Sequence, residues 1–222
     1  MNALIIGGTS GLGLELARRW AEAGDSVVIT GRTAPAVPQQ RVLFHKLDLD
    51  AADLPQKMAA LVKDLPRIDV LVYAAGFYQE GTITDLSEAD IEKMLNVGGR
   101  GLVFGLRALL QKQAELPEFI SITSSSQYVP RQLEPIYNFV KAGAGHLAAS
   151  MAEDGRIAKV LHVAPSGMQT AFWRDQPSKD VSGHLDPKWV ADEIDKLRKK
   201  DYRYKYVRIQ RDPARVEEVE TK

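Results

Sequence analysis

The 222-residue chain predicts an α/β fold: one doubly wound, parallel sheet with helices on both faces. Three observations predict it. Short runs rich in Val, Ile and Leu on both parities read as strands covered on both sides. Longer amphipathic stretches alternate with them, the strand–helix–strand order that gives parallel pairing. A glycine-rich turn joins the first strand to the first helix. No repeat, low-complexity tract or Pro/Gly/Ser linker divides the chain, so residues 1–222 read as one domain.

In chain order, the apolar run Ala3–Ile6 leads through Gly7–Gly13 into a helix over Leu12–Ala23. Strand Ser26–Thr30 follows. The next link, Thr33–Arg41, holds Pro35 and Pro38 and is too short for a helix, so an extended connection at the sheet edge is expected. Strand Val42–His45, helix Ala52–Asp64 and strand Val70–Ala74 come next. A long helix over Glu88–Gln113 is capped by Ser87 and interrupted in its pattern by Asn96, a poor helix former. Strand Phe119–Thr123, helix Pro135–Glu153, strand Lys159–Val163 and helix Pro187–Lys199 complete the alternation. Beyond it Tyr202, Tyr204 and Tyr206 recur at a strand period, which predicts an edge strand with a solvated, charged face.

Composition narrows the function. Lys plus Arg and Asp plus Glu are both 29, leaving no net charge and no basic excess for a polyanion. The basic run Lys196–Arg211 with its tyrosines reads as strand rather than as a nucleic-acid platform, so no nucleic-acid partner is expected. Hydrophobic residues at 45% supply a core. Cysteine is absent, which removes disulfides and thiolate chemistry and suits a reducing compartment. Met1-Asn2-Ala3-Leu4 lacks a basic n-region, and no apolar stretch approaches the ~18 residues of a membrane span. A cytoplasmic location without a membrane partner is the expectation. His45, His146, His162 and His184 show no metal-ligand spacing.

The turn Gly7-Gly8-Thr9-Ser10-Gly11-Leu12-Gly13 places free helix N–H groups and a bare backbone where a pyrophosphate would sit. The second strand ends in Gly31-Arg32-Thr33 rather than in the carboxylate that accepts from a ribose 2′-hydroxyl. A guanidinium pairs with a 2′-phosphate, so Arg32 points to NADP. Further along, Tyr137 and Lys141 stand four apart on one helix face. An ammonium there would lower the phenol's pKa, but bringing it from ~10 to neutrality takes about 4 kcal/mol. Help from a positive nicotinamide ring is therefore expected as well. Ser124 falls at the carboxyl end of the fifth strand, where a hydroxyl can orient a carbonyl while Tyr137 donates the proton. Asn96 is expected to break its helix locally and free a carbonyl for a water behind Lys141.

Taken together these residues resemble the short-chain dehydrogenase/reductase family over nearly the whole chain, which implies a Rossmann-like fold. Gly7, Gly11 and Gly13 match its glycine motif, and Asn96, Ser124, Tyr137 and Lys141 its tetrad. Asp48 matches an aspartate near the adenine, and Pro165–Thr170 the segment whose threonine contacts the nicotinamide carboxamide or pyrophosphate. The resemblance implies NADP(H)-linked reduction of a carbonyl to an alcohol, or the reverse, with Tyr137 as acid/base. The rival reading is a non-catalytic NADP-binding sensor or scaffold. The chain departs from the family at Tyr73-Ala74-Ala75-Gly76, where amides are usual, though Ala75 and Gly76 leave room for the adenosine ribose. The substrate-covering region, about 171–186, is short. Phe77, Tyr78, Tyr128, Phe172 and Trp173 are candidates for an apolar substrate wall. Small residues Ala142, Gly143, Gly145, Ala148 and Ala149 on the Tyr137 helix suggest helix pairing, and the family's habit implies a homodimer or homotetramer.

Overall fold

A computed structural model gives the structure of the chain and describes residues 1–173 and 180–222. The strands are β1 (Asn2–Ile6), β2 (Ser26–Gly31), β3 (Val42–Lys46), β4 (Val70–Tyr73), β5 (Leu116–Ile122), β6 (Ile157–Pro165), β7 (Tyr204–Gln210) and β8 (Arg215–Thr221). They form one sheet in the order β3-β2-β1-β4-β5-β6-β7-β8. All neighbours pair in parallel except β7 with β8. The helices are α1 (Gly11–Glu22), α2 (Leu54–Lys63), α3 (Glu88–Leu95), α4 (Gly101–Lys112), α5 (Pro135–Met151) and α6 (Pro187–Arg198).

Two cores lie on opposite faces of the sheet. Leu12, Leu16 and Trp20 of α1 pack with Val190, Ile194 and Leu197 of α6 against one face. Met58 of α2, Leu106 and Leu109 of α4 and Ala144 and Ala148 of α5 cover the other. The β1 residues alternate accordingly: Leu4 and Ile6 belong to one core, Ala3 and Ile5 to the other. The indole of Trp20 donates to Asp195 at 2.9 Å and ties α1 to α6.

Three local outcomes bear on the sequence reading. The link from β2 to β3 makes its parallel crossover without a helix, as expected for its prolines. The long helix is split where Asn96 stands: residues Asn96–Arg100 form a π-helical turn between α3 and α4. The edge-strand expectation needs correction. The Tyr204-bearing strand is interior, because β8 adds antiparallel on its far side. Lys205 explains the pairing, since its buried ammonium bonds Glu218 at 2.7 Å and Thr221 at 2.9 Å, both on β8. Tyr204 and Tyr206 pack against the core rather than facing solvent.

Candidate active site

A cleft of about 1050 Å³ runs along the carboxyl ends of the central strands. This is where a doubly wound sheet places a ligand, because the strand order reverses between β1 and β4. Gly7, Thr9, Ser10, Gly11, Leu12, Arg32, Asp48, Ala75, Gly76, Ser124, Tyr137, Lys141, Pro165 and Thr170 all line it. Two sequence-selected residues do not. Gly13 lies beneath the loop, where a side chain would strike the Gly7 carbonyl. Asn96 sends its amide to Asp50 at 2.8 Å, while its carbonyl accepts from Gly101 N–H within the π turn.

The glycine loop is built for backbone contact. Gly7 and Gly11 have φ of 86° and 53°, the left-handed region that glycine enters at little cost. A Cβ on Gly7 would stand 2.6 Å from the Ala75 nitrogen, so only glycine lets the β1 and β4 loops meet. Ser10 is the N-cap of α1, yet its hydroxyl makes no capping bond, and the helix start opens on the cleft. Thr170 faces Gly11 across it. At the β2 end, Arg32 is exposed and forms no ion pair or hydrogen bond among the described residues. Arg18 also lines the cleft, paired with Glu15 at 3.1 Å, with its Nε buried and unpartnered. Asp48 closes a small turn by accepting from Asp50 N–H at 3.0 Å.

At the other end of the cleft the chemistry is buried. Tyr137 is 8% exposed and Lys141, one helical turn on, 5%. Burial pushes the Tyr137 phenol above its usual range; the Glu134 carboxylate adds to the rise, and a hydrogen bond with Ser124 opposes it. Burial pushes Lys141 down to about 8. Its Nζ donates to the Ile122 carbonyl at 3.3 Å and stands 5.6 Å from the Tyr137 ring centre. Within the protein alone the phenol therefore lies above its usual range, and the lysine by itself does not bring it to neutrality. Desolvation outweighs the Ser124 hydrogen bond and the Arg131 charge, and the phenol keeps its proton.

Several site groups escaped the sequence reading. Ser124 Oγ donates to Ser126 Oγ at 3.1 Å, and Ser126 Oγ donates to Glu134 Oε2 at 2.7 Å. Arg131 donates to Ser125, Ser126 and Glu134 at 3.0, 3.0 and 3.1 Å. A serine run before the Tyr-x-x-x-Lys pattern, with Arg131 and Glu134 six and three residues ahead of Tyr137, was the available signal. Of the aromatic candidates, Phe77, Tyr78, Phe172 and Trp173 line the cleft. The rings of Tyr78 and Tyr137 meet edge to face at 5.1 Å. Tyr128 instead lies under Arg208, 4.1 Å from the guanidinium. Of the short region 171–186, residues 174–179 lie outside the described residues. Among the described residues, no His/Asp/Glu group is placed to hold a metal ion.

Known proteins share this pattern. The family described as short chain dehydrogenase matches residues 1–180. The uncharacterized oxidoreductase DltE of Bacillus subtilis (strain 168) is 31% identical over 196 residues, 81% of this chain and 75% of that protein. The (2S)-[(R)-hydroxy(phenyl)methyl]succinyl-CoA dehydrogenase subunit BbsD of Thauera aromatica is 31% identical over 192 residues, 80% of this chain and 77% of that protein. A solved short chain dehydrogenase/reductase family protein is 25% identical with a TM-score of 0.78, covering 94% of each chain.

Proposed function

Because the chain belongs to the short-chain dehydrogenase family, whose members are oxidoreductases that use a nicotinamide cofactor on alcohol and carbonyl carbons, we propose that it is an NADP(H)-dependent carbonyl reductase, or alcohol dehydrogenase, with Tyr137 as acid/base. One observation carries this reading: Ser124, Tyr137 and Lys141 converge on the same cleft as the bare glycine loop. The residues fit the cofactor. Gly7 and Gly13 leave no room for side chains, Ser10 and the start of α1 offer unused donors, and Arg32 presents a guanidinium without a partner among the described residues. Gly7–Leu12 would hold the pyrophosphate, Arg32 the 2′-phosphate, and Asp48, Ala75 and Gly76 the adenosine. Pro165 and Thr170 would hold the nicotinamide end. When bound, the cofactor supplies or accepts the hydride.

The chain's own part is proton chemistry. Tyr137, kept protonated by burial, gives its proton to the carbonyl oxygen. Ser124 orients that oxygen. Lys141 holds the ribose and offers positive charge to the phenolate as it forms. Asn96 acts from behind through the π turn rather than from the cleft wall. The relative BbsD is by name a dehydrogenase of a secondary alcohol, which agrees with this class. Assembly as a homodimer or homotetramer is supported by the outward face of α5, where Phe139 is 67% exposed and Gly143 has open space above it. A cytoplasmic location remains part of the proposal; no described helix is long and apolar enough to cross a membrane.

The test is NADPH and NADH consumption over a panel of aldehydes and ketones, with wild type and Tyr137→Phe side by side. Tyr137→Phe should lose about 10²–10⁴ in kcat, the range of a lost general acid. Its melting shift on NADPH addition should persist. Equal turnover by the variant removes Tyr137 from the mechanism. Arg32→Asp should weaken NADPH and leave NADH nearly unchanged; an unaltered preference removes Arg32 from the 2′-phosphate site.

A further inference from the structure

The two cores on the faces of the sheet are mostly aliphatic. The small cluster around Tyr137 is not: five of its nine residues, Phe77, Tyr78, Tyr137, Phe172 and Trp173, are aromatic, against 7% in the whole chain. They arrive from three segments, after β4, in α5 and after β6, so their meeting is a product of the fold. Tyr78 is the hub. Its ring meets Tyr137 edge to face at 5.1 Å, Trp173 edge to face at 5.4 Å and Phe172 at 6.1 Å, while Phe172 and Trp173 meet edge to face at 5.2 Å. Two polar tethers fix ring planes. The Tyr78 hydroxyl donates to Glu134 Oε1 at 3.3 Å, and the Trp173 indole donates to the Met168 carbonyl at 2.9 Å.

Rings that served only to fill space would be closed over. These are not: all five line the cleft, and Phe77, Phe172 and Trp173 are only half-buried. The cluster also reaches the reacting end, since a Cβ on Gly76 would stand 3.4 Å from Phe172 Cε2 and 3.6 Å from Lys141 Nζ. We propose that this wall is an aryl subsite, and that the substrate carries an aromatic ring on, or one carbon from, its carbonyl or carbinol carbon. The proposal rests on Tyr137 being the acid/base. Tyr137 is itself part of the wall, 5.1 Å from Tyr78 and 6.2 Å from Phe172 between ring centres. A guest ring lying on these residues therefore leaves only a short spacer to an oxygen that meets the phenol hydroxyl. An aromatic ring has a negative face and a positive edge, and the wall presents both in fixed orientations. An aromatic guest gains from that match, whereas a saturated ring of the same size gains only from burial. Because the wall rings hold one another in place, little side-chain freedom is lost on binding.

The experiment compares phenylacetone with cyclohexylacetone, whose carbonyls are electronically alike and whose rings differ only in aromaticity. With NADPH and the whole protein, kcat/KM should favour phenylacetone by at least about tenfold, the sum of two or more ring pairs. Trp173→Leu and Tyr78→Leu, each checked for an unchanged circular dichroism spectrum, should bring that ratio down toward one. Tyr78→Phe keeps the ring and should keep the ratio. Trp173 is half-buried, so its variant tests the wall even where Tyr78→Leu fails to fold. A wild-type ratio of about one, or a high ratio that survives Trp173→Leu, overturns the aryl subsite. A second readout needs no turnover. Calorimetric binding of phenylacetamide and cyclohexylacetamide, in the presence of NADP, should separate the pair by a similar factor in wild type and not in Trp173→Leu. Equal affinities, or no binding of either amide, also overturn the subsite. Failure of the reductase reading looks different: neither ketone is reduced with either cofactor, while the amide pair still separates.

Discussion

Thr123 and Ser124 are chain neighbours at the end of β5, yet they serve two unlike polar clusters. Thr123 bonds His162, whose Nε2 lies 3.1 Å from the threonine hydroxyl and 2.8 Å from Gln127 Oε1, while Nδ1 lies 3.1 Å from the Tyr204 hydroxyl. The bonding suits a neutral ring with its proton on Nε2, and burial pushes His162 down to about 4. Ser124 belongs to the cluster of Tyr137 and Lys141. There too burial opposes charge, but Lys141 has a single carbonyl at 3.3 Å for an ammonium with three donors. The first cluster is saturated by partners from β6, β7 and the turn after β5, so it contributes to the fold. The second stands open on the cleft and costs stability until something else satisfies it. Saturation, rather than burial or depth of pKa shift, separates the structural group from the functional one.

Lys141→Met sharpens that contrast most. Below pH 8 the ammonium is charged in both folded and unfolded chains, so the folded protein bears the full cost of burying it. The gap between 10.5 and about 8 corresponds to about 3 kcal/mol as an upper bound. Methionine of similar length removes the cost, so the cofactor-free variant should be more stable at pH 7, by up to that amount in urea unfolding. The advantage should shrink as pH climbs from 8 to 10.5, because there the wild-type fold sheds its proton while the unfolded chain keeps one. Turnover should drop by at least about 100-fold. A variant less stable at pH 7 would place Lys141 with the saturated groups.

The His162 cluster should behave in the opposite sense. A lowered histidine pKa means the unfolded chain takes up a proton near 6.5 while the fold refuses it until about 4. Stability is therefore complete above 6.5 and lost as pH falls toward 4, by about 3 kcal/mol. His162→Phe should cost about 1–3 kcal/mol at pH 7 by stranding Gln127 and Tyr204. The wild-type advantage should then disappear on acidification to pH 4, since the variant has no proton to take up there. A gap that stays constant from pH 7 to 4 would break the assignment. Cofactor-dependent melting shifts should be the same in both proteins.

The sequence carried one side of this comparison better than the other. Gly7–Gly13 and the Tyr137/Lys141 pair are legible because each lies within a single regular element, where spacing fixes placement. Asn96 signalled its π turn through poor helix propensity. Glu134, Arg131 and Ser126 were not legible, since their meeting depends on how residues 123–134 fold back over the cleft, which no period encodes. The C-terminal strand was missed for another reason. Arg215-Val-Glu-Glu-Val-Glu-Thr offers two apolar residues in seven and no strand signal of its own, and its pairing depends on the buried Lys205 reaching Glu218 and Thr221. That partner is invisible until the two strands lie side by side. His162, likewise, read only as a histidine with no metal spacing.

Tyr73 tests the boundary between the two kinds of cluster. It stands at the end of β4, fully buried, in the place where the family resemblance called for an amide, and its hydroxyl donates to the Val97 carbonyl inside the π turn. The phenol thus ties the central sheet to the turn that carries Asn96. By the saturation criterion it is structural: its donor is used, and burial pushes its pKa up with no charged neighbour behind the shift. Tyr73→Phe should therefore cost about 1–2 kcal/mol, the penalty of an unpaired buried carbonyl, and leave kcat and the pH profile essentially unchanged. If kcat instead falls tenfold while stability stays within 0.5 kcal/mol or so, the π turn works in the chemistry, and a satisfied hydrogen bond is no longer a sign of a purely structural role.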